Sequence, residues 1–239
     1  THLQPSSSNN WLAELRGRVS EDQASDLLQM DTRFVHVNRR RTHDWQLSAG
    51  ASHLMFGGTS LYTAVEGGAR YLSSRDTLCR PFLGLAIQYQ LYHNQGGNLN
   101  AIETKSSAGI DCTGGLAPEG QHLSAEVSLL NNFANFSTRP GGDREGWQAS
   151  IQWDFPALSG VFSSQIGHTE LDDREGYSEL LASGAERYQD RSFALIQYRR
   201  PISQKLVLLA NFYHQTQRSN IELFDSSDTT FEIGASLQF

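Results

Sequence analysis

The sequence predicts an all-β fold, a transmembrane antiparallel up-and-down β-barrel of about twelve strands. Three observations carry this expectation. The last eleven residues read TTFEIGASLQF: Phe231, Ile233, Ala235, Leu237 and Phe239 are apolar or small, and the residues between them are small or polar. That period of two is a strand with one oily face and one wet face. The pattern recurs upstream in segments of about nine to fifteen residues, the length a tilted strand needs to cross a hydrocarbon layer. The connections alternate between short turns and longer polar loops, as a barrel spanning a membrane requires.

Taken in order, the candidate strands cover residues 11–21, 27–39, 44–56, 60–73, 80–93, 103–113, 122–136, 146–156, 160–171, 188–200, 205–219 and 229–239. The alternation is clearest in the eighth, where Trp147, Ala149, Ile151, Trp153 and Phe155 share one face and Gln148, Ser150, Gln152 and Asp154 the other. Two Trp and a Phe opposite so polar a face fit a lipid-facing strand with aromatics near its ends. The tenth and eleventh strands, around SFALIQYRR (192–200) and KLVLLANFYHQTQR (205–218), follow one another through the short turn Pro201–Gln204. The one candidate helix, Glu175–Arg187, falls inside a long loop. Residues 1–10, which include the run LQPSSSNN, read as a polar linker or mature amino terminus, and 11–239 as the barrel domain.

A final strand ending on Phe239 resembles the closing strand of bacterial outer-membrane β-barrels, where the terminal aromatic belongs to the signal read by the assembly machinery. That resemblance implies an outer-membrane location, both termini on the periplasmic side, and lipid and the assembly machinery as partners. The periplasmic turns are then Arg40–His43, Ser74–Cys79, Gly114–Gln121, Ala157–Ser159 and Pro201–Gln204, rich in Pro, Gly and Ser. The outer connections are Glu21–Asp26, Asn94–Ile102, Ser137–Glu145, Asp172–Arg187 and Asn220–Asp228, with Gly57-Gly58-Thr59 as a tight exception. The portion from Arg191 to Phe239, with Arg-Ser-Asn-Ile-Glu at 218–222, is similar to the carboxy-terminal barrels of larger outer-membrane proteins. These include tetratricopeptide-linked exporters of polysaccharide and surface-lipoprotein assembly modifiers. The similarity implies a periplasmic domain or partner and a role in export.

Composition narrows the alternatives. A chain of 239 residues is long enough for one large all-β unit, and it contains no run of eighteen apolar residues that would make a transmembrane helix. The formal net charge of −7 argues against nucleic acid as a partner. The chain starts ThrHisLeuGln with no charged-then-apolar signal segment, which reads as a mature or truncated chain. Cys79 and Cys112 fall at the same rim of adjacent antiparallel strands, so a disulfide is expected in an oxidising periplasm. Their spacing offers nothing for zinc, and no other pattern calls for a cofactor.

With polar residues pointing inward, the lumen receives Glu14, Arg16, Arg18, Asp31, Arg33, Glu66, Arg70, Asp111, Glu126, Asp154 and Glu232. Acids and bases are interspersed, which predicts a paired network that fills and stiffens the interior, with a charge-selecting constriction as the functional version. Arg16 and Arg33 are expected to meet Glu14, Glu66 and Glu232 where the first, second and last strands close the ring. Three groups are weighed as catalytic: His53 beside Ser52, His214 with Ser219, and His168 with Glu170, Asp172 and Asp173. A His and a carboxylate two apart on one strand share a face, so His168 and Glu170 form a base–orienter pair, though the sequence places no nucleophile beside them. The leading functional expectation is transport or translocation across the outer membrane, by a pore or export channel with gating surface loops. The alternatives are a rim enzyme acting on lipid or peptide and a structural or adhesive barrel.

Overall fold

The computed structural model of the chain describes residues 7–22, 25–40, 42–73, 78–113, 120–203 and 206–237. These form one twelve-stranded sheet whose spatial order is the chain order. The strands are β1 (Ser7–Asp22), β2 (Ser25–Arg40), β3 (Asp44–Phe56), β4 (Thr59–Leu72), β5 (Cys79–Tyr92) and β6 (Ala101–Thr113). They continue with β7 (His122–Ala134), β8 (Arg144–Ala157), β9 (Gly160–Gly176), β10 (Glu186–Pro201), β11 (Leu206–Ser219) and β12 (Ser226–Leu237). Every neighbouring pair is antiparallel, from β1·β2 through β11·β12. The fold is therefore an up-and-down meander in which each strand pairs with its successor. Among the described residues no ladder joins β12 back to β1.

The sheet has two chemically distinct faces, and register fixes which residue goes where. Trp147, Ala149, Ile151, Trp153 and Phe155 of β8 stand opposite Glu170, His168, Ile166, Ser164 and Phe162 of β9. On this face large apolar side chains are exposed along many strands: Leu83, Leu85 and Ile87 of β5, Val127 and Leu129 of β7, and Phe231 and Ile233 of β12 are each more than half exposed. The other face carries the polar and charged residues, and there the buried side chains Phe82, Ser128, Asn132, Thr169 and Asp173 are found. A water-soluble sheet buries its apolar face; this one shows it and packs its polar face.

Strand ends follow local chemistry. Gly57 and Gly58 turn the chain between β3 and β4 with φ of 55° and 77°, a conformation that suits glycine. Leu158 and Ser159 make the two-residue turn between β8 and β9, both with positive φ. Several strands run further than the sequence pattern suggests. β1 begins at Ser7, inside the expected linker, and β1 with β2 takes up most of the expected loop Glu21–Asp26. β9 and β10 likewise reach into the two ends of the expected helix, at 175–176 and 186–187, and one helical turn, Glu179–Ala182, remains of it. In antiparallel pairs each added rung gains backbone hydrogen bonds, and no Pro or Gly stops these strands at the expected points. Cys79 faces Cys112 as the first rung of the β5·β6 ladder, and the two are joined in a disulfide.

Candidate functional site: the polar face and its outer cap

The polar face of β5 to β10 is filled in three tiers. Nearest the turn between β6 and β7, His122 bridges two carboxylates, with Nε2 3.0 Å from Asp111 and Nδ1 3.1 Å from Asp154. Gln152 donates to the same Asp154 at 3.0 Å. In the middle tier Lys105 Nζ lies 2.9 Å from Glu126 and donates to Gln148 at 3.2 Å, while Ser128 donates to Glu126 at 3.0 Å. Beside it the Arg70 guanidinium sits 3.5 Å above the centre of the buried Phe82 ring. Hydrogen-bonded groups of both signs, each only partly exposed, favour one arrangement, because breaking a link leaves a half-buried group unpaired.

The third tier lies at the opposite end and includes loop residues. Gln90 and Asn132 each donate to Glu103 at 3.3 Å, and Asn132 accepts from Arg139 of the loop between β7 and β8. Asp173 of β9, only 3% exposed, receives two more arginines. Arg144 Nε of β8 is 2.9 Å away, and Arg187 of β10 approaches through Nε at 3.1 Å and donates from Nη2 at 3.1 Å. The Nε approaches are ion pairs without hydrogen-bond alignment. Burial pushes the Arg139 guanidinium below its ordinary range, and the nearby Asp173 carboxylate pulls it partly back.

Three loops converge over this tier. Arg187 is held between the rings of Tyr177 and Phe224, 4.5 Å from each. Those rings meet edge-on at 5.0 Å and come from the loops after β9 and after β11. The loop after β7 is stitched to β9 by backbone bonds from Arg174 N–H to the Asp143 carbonyl (2.8 Å) and from Glu175 N–H to the Gly141 carbonyl (3.2 Å). Asn220 accepts from Tyr188 N–H and donates to the Glu186 carbonyl, each at 2.8 Å. Residues 137–145, 170–190 and 218–228 hold twelve acids and five Lys or Arg, a balance of −7 that equals the net charge of the whole chain. Three of those five bases are the arginines around Asp173, so the outer surface of the cap is left acidic.

On the other side of the polar face, toward β2 to β5, there is open space. A cavity of about 320 Å³ is lined by Asp31, Arg33, Ser52, Ala64, Glu66 and Gln88, among others. Asp31 accepts from Gln29 at 2.9 Å. Glu14 and Arg16 of β1 stand opposite Arg33 and Asp31 in register, and Arg18 opposite Gln29. The side chains of Glu14, Arg16 and Arg18 lie outside the described residues, as does Phe239. Glu232 pairs in register with Asn211 of β11, and its expected meeting with Arg16 falls on a side chain outside the described residues.

The catalytic candidates separate by face. Ser52 and His53 are neighbours on a strand and project to opposite sides, and His53 instead bonds Thr63 at 2.8 Å. His214 bonds Thr229 at 2.8 Å on the apolar face, whereas Ser219 lies on the polar side. The run from His168 to Asp173 is divided: His168, Glu170 and Asp172 go to the apolar face, and Asp173 to the buried arginine cluster. His168 acquires a nucleophile that sequence reading missed, because Ser192 stands opposite it on β10. The Ser192 hydroxyl is 3.0 Å from Nδ1, Glu170 Oε1 is 3.4 Å from Nε2, and Trp147 donates to Glu170 at 2.9 Å. Lys105 and His122 occupy the polar positions of their strands, so the alternation itself carried their signal. Arg139 and Arg187 carried none, since Arg139 itself comes from the loop after β7 and Arg187 packs on rings from two other loops. The chain matches no protein-family model, and no curated protein is significantly similar to it.

Proposed function

We propose that the sheet closes into a transmembrane β-barrel of the bacterial outer membrane and that it works in transport or translocation. The observation that carries this reading is the inversion of faces: apolar side chains exposed around the outside, charge and hydrogen bonds within. Contiguous apolar surface of this extent has no place in water and suits lipid. The slope of the apolar belt supports strands tilted as in a barrel. On β8 the belt reaches up to Trp147, whose row continues through Glu170, Asp190 and Arg218. On β12 it stops at Phe231, whose row runs back through Phe212, Ile196 and Ser164 to Trp153 of β8. A six-residue descent over four strand spacings, at about 3.3 Å per residue and about 4.8 Å per spacing, corresponds to a tilt of roughly 45°.

In this reading the solute path follows the open wall of β2 to β5, and the tiers on β5 to β10 form the filled side. The cap centred on Asp173 serves as the outer gate. The assembly machinery and a periplasmic domain or partner belong to the same reading. The resemblance of residues 191–239 to the barrels of polysaccharide exporters and surface-lipoprotein assembly modifiers points the same way. Purified protein in planar bilayers tests it: stepwise, ion-selective conductance is expected, and a folded but silent barrel would sink the pore.

A second reading rests on Ser192, His168 and Glu170, which form a nucleophile, base and orienting acid on the outward face beside Trp147. At the rim of a bilayer such a group would attack the ester carbonyl of a lipid. Phospholipid hydrolysis that disappears in both Ser192→Ala and His168→Ala would establish it; activity that survives either substitution would dispose of the site.

A further inference from the structure

We infer that the outward pocket at the base of the β2·β3 hairpin is a binding site for the phosphate-bearing headgroup of a glycerophospholipid. The cavity measures about 350 Å³ and is lined by His36, Asn38, Arg40, His43, Trp45 and Leu47. None of these six side chains is acidic. His36, Asn38 and Arg40 are alternate residues of β2, and register sets His36 opposite Leu47 and Asn38 opposite Trp45, all on the apolar face. The pocket therefore opens toward lipid at the rim where the apolar belt gives way to a turn. Leu47, half exposed, and Phe34, 54% exposed, supply its oily edge.

Its polar edge is basic in a chain that is acidic overall. Arg40 supplies that charge, while Arg39 stands opposite Asp44 on the other face. The acid nearest in sequence, Asp44, is turned to the other face, where it pairs with Arg80 at 2.9 Å. Arg40 is held in place at both ends: its N–H donates to the His43 carbonyl at 2.9 Å, and its Nε donates to Asn38 at 3.3 Å. The guanidinium keeps its terminal donors in the fork that matches two phosphate oxygens. His43 is positioned by Thr42 at 2.9 Å, and its ring lies 5.5 Å from Tyr71, which in turn meets Trp45 edge-on at 5.1 Å. Indole and phenol rings prefer the headgroup level of a bilayer. A cation, two imidazoles and an aromatic pair above an apolar shelf match a phosphodiester with acyl chains below it. A free phosphate would use only the upper half.

This assignment rests on the membrane reading above, and the test separates the two. Protein is inserted into vesicles, then extracted in detergent, delipidated and titrated with phosphatidylglycerol by native mass spectrometry, with and without equimolar inorganic phosphate. One lipid is expected to bind the wild type and to resist inorganic phosphate. Loss of the charge-assisted bonds in Arg40→Ala with His43→Ala should weaken it on the order of tenfold or more. Arg218→Ala, which removes a cation at the far end, should leave it unchanged. Heat-modifiable mobility on gels verifies that each variant is folded. Equal binding by the double variant, equal loss in Arg218→Ala, or displacement by inorganic phosphate would overturn the pocket alone. A wild type that fails to enter vesicles would overturn both readings.

Discussion

His168 and Asp173 lie on the same strand, five residues apart, and project to opposite faces of the sheet. His168 stands beside Trp147, ring centres 5.3 Å apart, at the upper edge of the apolar belt. Asp173 is buried among arginines beneath the outer loops. The densest acid and His run in the chain therefore feeds two separate places, one on the apolar face and one in the buried arginine cluster. Odd spacing on a strand makes that separation unavoidable.

Asp173→Asn should loosen the cap. Removing one charge leaves Arg144 and Arg187 buried against a neutral amide, and a broken buried ion pair costs about 3–5 kcal/mol. The cost falls on the ends of β8, β9 and β10 that carry these three residues and on the loop residues packed against them. Larger or more frequent conductance steps are expected, with faster proteolysis confined to residues 137–145 and 174–187. A variant whose loops and conductance match the wild type would show that the cap is not held by this carboxylate.

If the proposed pore exists, the acidic surface of the cap should make it favour cations. Eight acids there are exposed, among them Glu145, Asp172, Glu175, Glu179 and Glu186, and charge of one sign at a pore mouth concentrates the opposite ion. In a salt gradient the reversal potential is expected on the cation side. Changing Glu175, Glu179 and Glu186 to Gln together should move it toward zero, and more so at low salt, where screening is weak.

Much of this architecture was legible from alternation alone. Trp147 to Phe155 declared its faces, and Cys79 and Cys112 declared their rim, because strand period and antiparallel order convert sequence position directly into geometry. The cap over Asp173 was not legible. Arg144 stands opposite Asp173 in the β8·β9 register and Arg187 lies at the start of β10, but Arg139, Tyr177 and Phe224 come from three loops whose paths no period governs. Ser192 was hidden for a related reason. It is brought to His168 by the register between β9 and β10, and a pairing register is a property of two strands together.

The disulfide should contribute measurably to stability. It closes a sequence separation of 33 residues, for which chain entropy suggests about 3–4 kcal/mol. Cys79→Ser with Cys112→Ser is expected to lower the urea midpoint in detergent, and reductant should shift the wild type by a similar amount while leaving the double variant unmoved. An insensitive wild type would mean that β5 and β6 are held by their ladder alone.

Two glycines, on β4 and β6, test which face of the sheet is packed. Gly109 of β6 stands opposite Phe82, and a Cβ built there would collide with the Ala125 carbonyl of β7 and lie 2.5 Å and 2.8 Å from two carbons of that ring. Phe82 has no room to retreat, being 2% exposed with Arg70 stacked 3.5 Å above it. Gly109→Ala should therefore force the ring off its rotamer and cost about 1–3 kcal/mol, as overpacking does. Gly67 of β4 is on the outward face, where an added Cβ meets nothing closer than the Ser48 carbonyl at 4.0 Å. Gly67→Ala should stay within about 0.5 kcal/mol of the wild type. If the charged side of the sheet is the tightly filled interior, only the first substitution lowers the unfolding midpoint. Equal effects would mean that Phe82 and Arg70 are loosely held, and the filled wall of the proposed channel would lose its main support.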